Sequence, residues 1–353
     1  MKSSFYQYSF ESLRKYLADF GCRADQARLL FNWHYKKNKT TPCEINGLSA
    51  YTKKIIYSSL SFDLPVMDHV QISEDLTVKF LFSFQDGKKV ETVLIPFNQK
   101  YTVCLSSQVG CAMNCAFCYT GTQGLTRSLK TEEIVGQFLA AQTWLTLNRP
   151  DDDRILNVVF MGQGEPLHNF DNVKTAVEIM LSQNGLSLAD HKITISTSGY
   201  LPGLLRWKNE MPSVNIALSL HSPIDEKRSQ LIPINRKYPL KDVIPLIEEF
   251  PQGKKRFVTY EYLLIRDFND SEEDALQTAK LLEGTKAFVN LIPFNPFPGT
   301  KWQRPTDEKV QKFHQIIESY RIPVTIRTTK GDQILAACGQ LKSSERNDAK
   351  TAL

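Results

Sequence analysis

The stretch YTVCLSSQVGCAMNCAFCYTGTQG, residues 101–124, decides the fold. It opens with a short β-branched run, YTVCLSSQ (101–108), and passes directly into a loop holding three cysteines. An amphipathic, helix-like segment follows near 131–145. Similar units recur downstream. ILNVVFMG (155–162) precedes a helical pattern near 171–183, while KITISTSG (192–199) and VNIALSLHS (214–222) precede one near 240–249. RFVTYEYLLI (256–265) leads to a helix near 271–283, FVNLIPFN (288–295) to one near 306–319, and PVTIRTT (323–329) ends the series. Strand and helix in alternation predict parallel strands joined by right-handed crossovers. This number of units suits an α/β barrel, complete or partial, with its chemistry at the C-terminal ends of the strands.

Working outward, the period changes. VQISEDLTVKFLFSFQDGKKVETVLIP (70–96) is rich in Val, Phe and Thr around Asp86-Gly87, which is a hairpin signal. Residues 6–60 read as helices, with FESLRKYLADF and ADQARLLFNWHYKK on either side of Gly21. The expected organisation is a helical domain over 1–62, a β-hairpin extension or linker over 63–100, the barrel over 101–341 and a polar, frayed tail over 342–353.

With 353 residues, 42% apolar and 23% charged, the chain is neither disordered nor a coiled coil. No apolar run is long enough for a spanning helix and no signal peptide opens the chain, so a cytoplasmic protein is expected. The net charge is +5, and most of it lies at the front: residues 1–100 hold 14 basic and 10 acidic residues, the rest 29 and 28. The lysines at 36, 37, 39, 53, 54, 88 and 89 are either solvated surface or a footprint for a polyanion such as RNA.

Seven cysteines without an export signal argue against a disulfide framework. Cys111, Cys115 and Cys118 have C-x3-C-x2-C spacing. Thiolates select zinc, copper or iron–sulfur clusters. A structural zinc site wants four ligands, and no His lies within about 40 residues of this loop. Three thiolates can instead hold three irons of a [4Fe–4S] cube and leave the fourth open to a ligand. The flanking glycines let the loop close tightly. Zinc and chance remain open on spacing alone.

These residues resemble the radical S-adenosylmethionine (SAM) superfamily. Further segments narrow the match: VETVLIP (90–96), CLSSQVGCAMNCAFCYTGTQG (104–124), GEPLHN (164–169), STSG (196–199), SLHSP (219–223), PIN (233–235), NLIPFNPFPG (290–299) and AACGQL (336–341). In this order they resemble the adenine carbon-2 methyltransferase family RlmN, which acts on 23S rRNA and tRNA. The resemblance implies a partial (β/α)6 barrel with a small helical N-terminal domain and a linking β-hairpin.

The same resemblance implies roles. Cys111, Cys115 and Cys118 would hold the cluster, and Gly164, Glu165, Ser196, Ser219, Leu220, His221 and Asn295 would contact SAM. Adenine carbon 2 is electron-poor, so direct polar transfer of a methyl group to it is unfavourable. The family uses two SAM molecules: one methylates the cysteine at position 338, the other yields the radical that activates that S-methyl group. A covalent protein–RNA adduct forms, and Cys104 resolves it by attacking the Cys338 sulfur, leaving a disulfide. Glu91 aligns with the family's proton acceptor, against the ordinary reading of an exposed acid on a hairpin. An external one-electron donor of the flavodoxin type is also implied, and a monomer is expected.

Two positions depart from the family pattern. Gln163 stands where Met is usual, and Tyr119 where Ser or Ala is usual. Both are expected near the cluster or SAM. Glu165-Pro166 and Asn295–Gly299 favour carbon 2 over the carbon-8 sister branch. An RNA-binding assembly factor would need neither Cys104 nor Cys338, and a thiolation enzyme would carry a second cluster motif.

Overall fold

Ser9 and Ser49 begin two N-terminal helices by accepting backbone N–H groups of Ser12 (3.3 Å) and Thr52 (3.0 Å). These are α1 (Phe10–Asp19) and α3 (Ala50–Ser59), with α2 (Ala24–Phe31) between them. Their shared core is aromatic: Phe5 and Phe31 pack edge-on, and His34 stacks on Phe62 with centroids 4.5 Å apart. Lys37 and Lys39 lie over the Trp33 ring. The computed structural model describes residues 2–37, 39, 41–97, 100–152, 154–250 and 258–343. The expected start of a strand at 256–257, and the tail from 344 onward, lie outside the described residues.

A ten-stranded sheet forms the rest of the frame. β1 (Val66–Ile72), β2 (Val78–Ser83) and β3 (Lys89–Phe97) are antiparallel, and β3 pairs with β4 (Lys100–Cys104). From β4 onward every pairing is parallel: β5 (Ile155–Phe160), β6 (Ile193–Thr197), β7 (Asn215–Ser219), β8 (Val258–Leu264), β9 (Ala287–Pro293) and the short β10 (Val324–Ile326). The strand order runs without closure from β10 at one edge to β1 at the other, so the barrel is partial. The extension is three strands, hydrogen-bonded into the barrel sheet as its continuation.

The Asp86-Gly87 turn falls where the sequence puts it, with Gly87 at φ +74° and its N–H bonded to the Phe84 carbonyl at 2.9 Å. The expected crossover helices are present as α4 (Thr131–Asn148), α5 (Phe170–Leu181), α8 (Leu240–Glu248), α9 (Glu272–Leu282) and α10 (Asp307–Ser319). Two helices were not apparent from sequence periodicity: α6 (Leu201–Glu210) and α7 (Asp225–Leu231). α6 opens on Pro202-Gly203, and Pro is tolerated in a first turn because its missing N–H has no partner there anyway. α7 is DEKRSQL, polar except for its last residue, and it buries Arg228 together with Leu231. No described helix is long and apolar enough to cross a membrane.

Candidate active site at the strand ends

The single strand expected over 101–108 stops at Cys104. Residues 108–110 turn away and pair antiparallel with 125–128, forming a two-stranded neck under the cysteine loop. Gly110 makes that neck possible. Its φ is +76°, and a Cβ there would sit 1.7 Å from the Gly124 carbonyl oxygen. Across the neck, Cys111 N–H donates to the Gly124 carbonyl at 3.0 Å. The loop is also tied to the barrel, by Ala116 N–H to the Leu231 carbonyl (2.9 Å), and to the C-terminal segment, by Tyr119 N–H to the Gly339 carbonyl (2.7 Å).

Cys111, Cys115 and Cys118 line one cleft of about 880 Å³, counting its open mouth. Burial raises the pKa of all three thiols, Cys111 to about 12. Among the described residues, no three Cys, His, Asp or Glu side chains converge on a point that one metal ion could occupy. A zinc ion needs every thiolate about 2.3 Å from a single centre. A cube gives each thiolate its own iron, and three thiolates lining one cleft suit that arrangement.

Opposite the cysteines are the ends of β5, β6 and β7. Gly164 has φ +105°, and a Cβ there would lie 2.6 Å from the Gln108 side chain, so only glycine fits. Glu165 is 3% exposed. One carboxylate oxygen accepts from Leu167 N–H (3.1 Å), the other from Ser198 N–H and Oγ–H (2.8 Å each). Burial raises its pKa and the Ser198 bonds oppose the rise. These donors are neutral, so an incoming ammonium group would supply a countercharge that they do not.

Ser196 and Ser219 line the same cleft, as does His221. The His221 Nδ1 accepts from Leu263 N–H at 3.0 Å, and the ring packs edge-on against Phe117. Burial, then the neighbouring Arg228, lower its pKa to about 3, so the ring is neutral. Arg228 is fully buried and donates to the carbonyls of Ser198 and Ser219 (2.8 Å each) and of Leu220 (3.1 Å), fixing the backbone at two strand ends.

Three expected site residues lie off this cleft wall. Leu220 is fully buried, its backbone held by Arg228 and by the Glu261 carbonyl. Asn295 points at the segment carrying Cys338, donating to the Cys338 carbonyl at 3.4 Å. Glu91 is neither exposed nor in the cleft: it is 8% exposed and paired with Lys79 at 3.0 Å on a neighbouring cavity. The two departures behave likewise. Gln163 is fully buried outside the cleft, accepting from Glu91 N–H (2.8 Å) and donating to Gln123 (2.9 Å). Tyr119 stacks on Phe297, with the Lys342 ammonium over its ring. Neither side chain lines the cleft, yet both stay beside it: Gln163 lies between the cleft residues Gly162 and Gly164, and Tyr119 directly follows Cys118.

Cys338 reaches the cleft from a segment beyond β10. Cys104 is buried and packs with Val93, its cross-strand partner on β3, and with Ala336 and Leu341, which flank Cys338 in sequence. Both are free thiols. Burial, then the nearby Cys338, raise the Cys104 pKa to about 12. Arg327 lines the cleft as well, 3.6 Å from Glu261, and Cys338 is the foremost cause of its still higher pKa. Sequence reasoning missed Arg327 and Arg228. For Arg327 a signal existed, a charged residue just past the C-terminal end of a barrel strand.

A profile of the Radical SAM superfamily matches residues 105–279, the class that an open parallel barrel with a three-cysteine loop defines. Relatives extend the match over almost the whole chain. The dual-specificity RNA methyltransferase RlmN of Pelobacter propionicus is 40% identical, the alignment covering 97% of this chain and 96% of that one. The probable RlmN of Akkermansia muciniphila is 40% identical over 94% and 93% respectively. A crystal structure of a radical SAM methyltransferase from Sphaerobacter thermophilus superposes with a TM-score of 0.88 at 36% identity, covering 97% of this chain and all of that one. The chain belongs to the RlmN family of radical SAM RNA methyltransferases.

Proposed function

We propose that this enzyme methylates carbon 2 of an adenine in 23S rRNA, tRNA or both, with Cys338 as the carbon carrier. The observation that carries this reading is one cleft lined by the three cluster cysteines and by Cys338, with Cys104 packed behind the Cys338 segment. When bound, the [4Fe–4S] cluster supplies single electrons to SAM, the source of both the methyl group and the radical.

The chain's own groups do the rest. Cys111, Cys115 and Cys118 would hold three of the four irons. Gly164 admits close backbone approach and Glu165 receives the SAM ammonium, with Ser196, Ser219 and His221 along the same wall. Leu220 and Asn295 act through backbone and segment geometry. Arg327 places a fixed positive charge beside Cys338, where a thiolate must form to accept a methyl group. Cys104, protonated while buried, must lose its proton before it can attack the Cys338 sulfur and release the RNA. Glu91 as proton acceptor would have to exchange its Lys79 partner for the substrate proton. The electron donor is an external flavodoxin-type reductant.

Mass spectrometry of nucleosides from ribosomal and transfer RNA, with and without the active gene, tests this. Loss of 2-methyladenosine in the absence of the gene is expected. Unchanged 2-methyladenosine, or loss of an 8-methyl product instead, would sink it.

A further inference from the structure

The segment 331–343 that carries Cys338 is held from two sides. From the barrel side come the bonds of Tyr119 to Gly339 and Asn295 to Cys338, together with the Thr120 hydroxyl to the Leu341 carbonyl at 2.6 Å. From the other side three side chains of the antiparallel extension reach across. Asp75 accepts Gly331 N–H at 3.0 Å, Lys79 donates to the Leu335 carbonyl at 3.4 Å, and Glu91 accepts Lys342 N–H at 2.9 Å.

Lys79 and Glu91 are also partners of each other. The register pairs Lys79 with Val93 and Leu81 with Glu91, so the two charges are diagonal neighbours on one face of the sheet. Their Nζ–Oε1 distance is 3.0 Å, with side chains only 6% and 10% exposed. A buried ion pair is a weak source of stability, because desolvation offsets the attraction and an apolar pair of similar volume often serves as well. An apolar pair could not do what this one does. The ammonium has three donors and the carboxylate two acceptor oxygens, enough to satisfy each other and still hold a carbonyl three residues before Cys338 and an N–H four residues after it.

We propose that Lys79 is a positioning residue for the methyl-carrying cysteine: with Glu91 it forms a clasp that fixes both flanks of the Cys338 segment and so sets where that sulfur stands. The proposal rests on Cys338 being the carrier. It gives Glu91 a structural task whether or not it also accepts a proton, and it assigns a task to Lys79, which no motif singled out.

The test uses the reconstituted holoenzyme and unmodified ribosomal and transfer RNA. Lys79→Met should make amide exchange over 335–342 at least tenfold faster, with cluster content unchanged. It should also uncouple the reaction, releasing several-fold more 5′-deoxyadenosine per methylated adenine. Lys79→Arg, which keeps donors and charge, should restore both readouts to within about twofold. If Lys79→Met fails to fold, Lys79→Met with Glu91→Leu leaves no buried charge and should show the same two changes. Wild-type exchange in the Met variant overturns the clasp. Faster exchange with wild-type coupling also overturns the proposal, since Lys79 would then be structural only. Failure of the carrier reading is seen separately, as methylation that survives Cys338→Ala, whereas the exchange readout needs no turnover.

Discussion

Glu165 and Glu91 are the same residue, buried to nearly the same degree, in opposite electrostatic settings. Glu165 stands in the cleft and is held by neutral donors. Glu91 lies on the extension and is closed off by its own lysine. The contrast separates two tasks. A buried carboxylate without a cation is costly in the free protein, and that cost is recovered when a cationic ligand arrives. A carboxylate already paired gains nothing from a ligand, and what it organises is the chain around it.

The largest effects come from dismantling the cleft. Replacing any one of Cys111, Cys115 or Cys118 with Ala should abolish both bound cluster iron and RNA methylation, and an alanine variant that kept four irons would remove the cleft half of the contrast. Next is the pair of thiols. Cys338→Ala should end turnover, whereas Cys104→Ala should accumulate protein covalently bound to RNA, visible as a nuclease-sensitive shift on a denaturing gel. The double variant should show no shift.

The two glutamates can be set against each other directly. Glu165→Gln should weaken SAM binding by ten- to a hundredfold, measured by equilibrium titration, with little change in thermal stability. Glu91→Gln should leave SAM affinity within twofold but cost about 3 kcal/mol in denaturant unfolding, because Lys79 loses its charged partner. Exchanged outcomes would break the comparison.

A smaller contrast concerns groups that are buried uncharged. Burial lowers the His34 pKa to about 3, against about 6.5 when unfolded. The unfolded chain therefore binds more protons between these values, and stability falls as pH drops through that window. His34→Phe should recover about 2 kcal/mol of the loss between pH 7 and pH 5, read from denaturant melts at both. Least of all, Gln163→Met should cost about 1 kcal/mol by freeing Glu91 N–H and Gln123, without changing SAM affinity.

Much of this was legible in the sequence. The short β-branched runs marked the parallel strands, and three thiols at C-x3-C-x2-C spacing marked the cleft. What stayed hidden depended on partners distant in sequence. The extension read as a linker because the pairing of β3 with β4 continues a sheet whose other strands come much later. Helix α7 was masked by its polar residues, since the burial of Arg228 is set by carbonyls at the ends of β6 and β7. Lys79 drew no reading, and Glu91 drew only the choice between the family's proton acceptor and an exposed acid, because nothing local shows that residues more than 240 positions away will cover them.

The open sheet also decides how much of the chain the superfamily's shared segment can supply by itself. The segment matching the broad superfamily runs from 105 to 279. Cys104 stands one residue before it, and Cys338, Asp75, Lys79 and Glu91 all lie outside it. The matched segment contains the three clustered cysteines and Glu165 but neither Cys104 nor Cys338. Asp75, Lys79 and Glu91, from before it, bond to the backbone at Gly331, Leu335 and Lys342, from after it. The two ends of the chain therefore meet across the open sheet, and a fragment trimmed to the matched segment would keep the three-cysteine loop while losing both outlying thiols and every contact between the extension and the Cys338 segment.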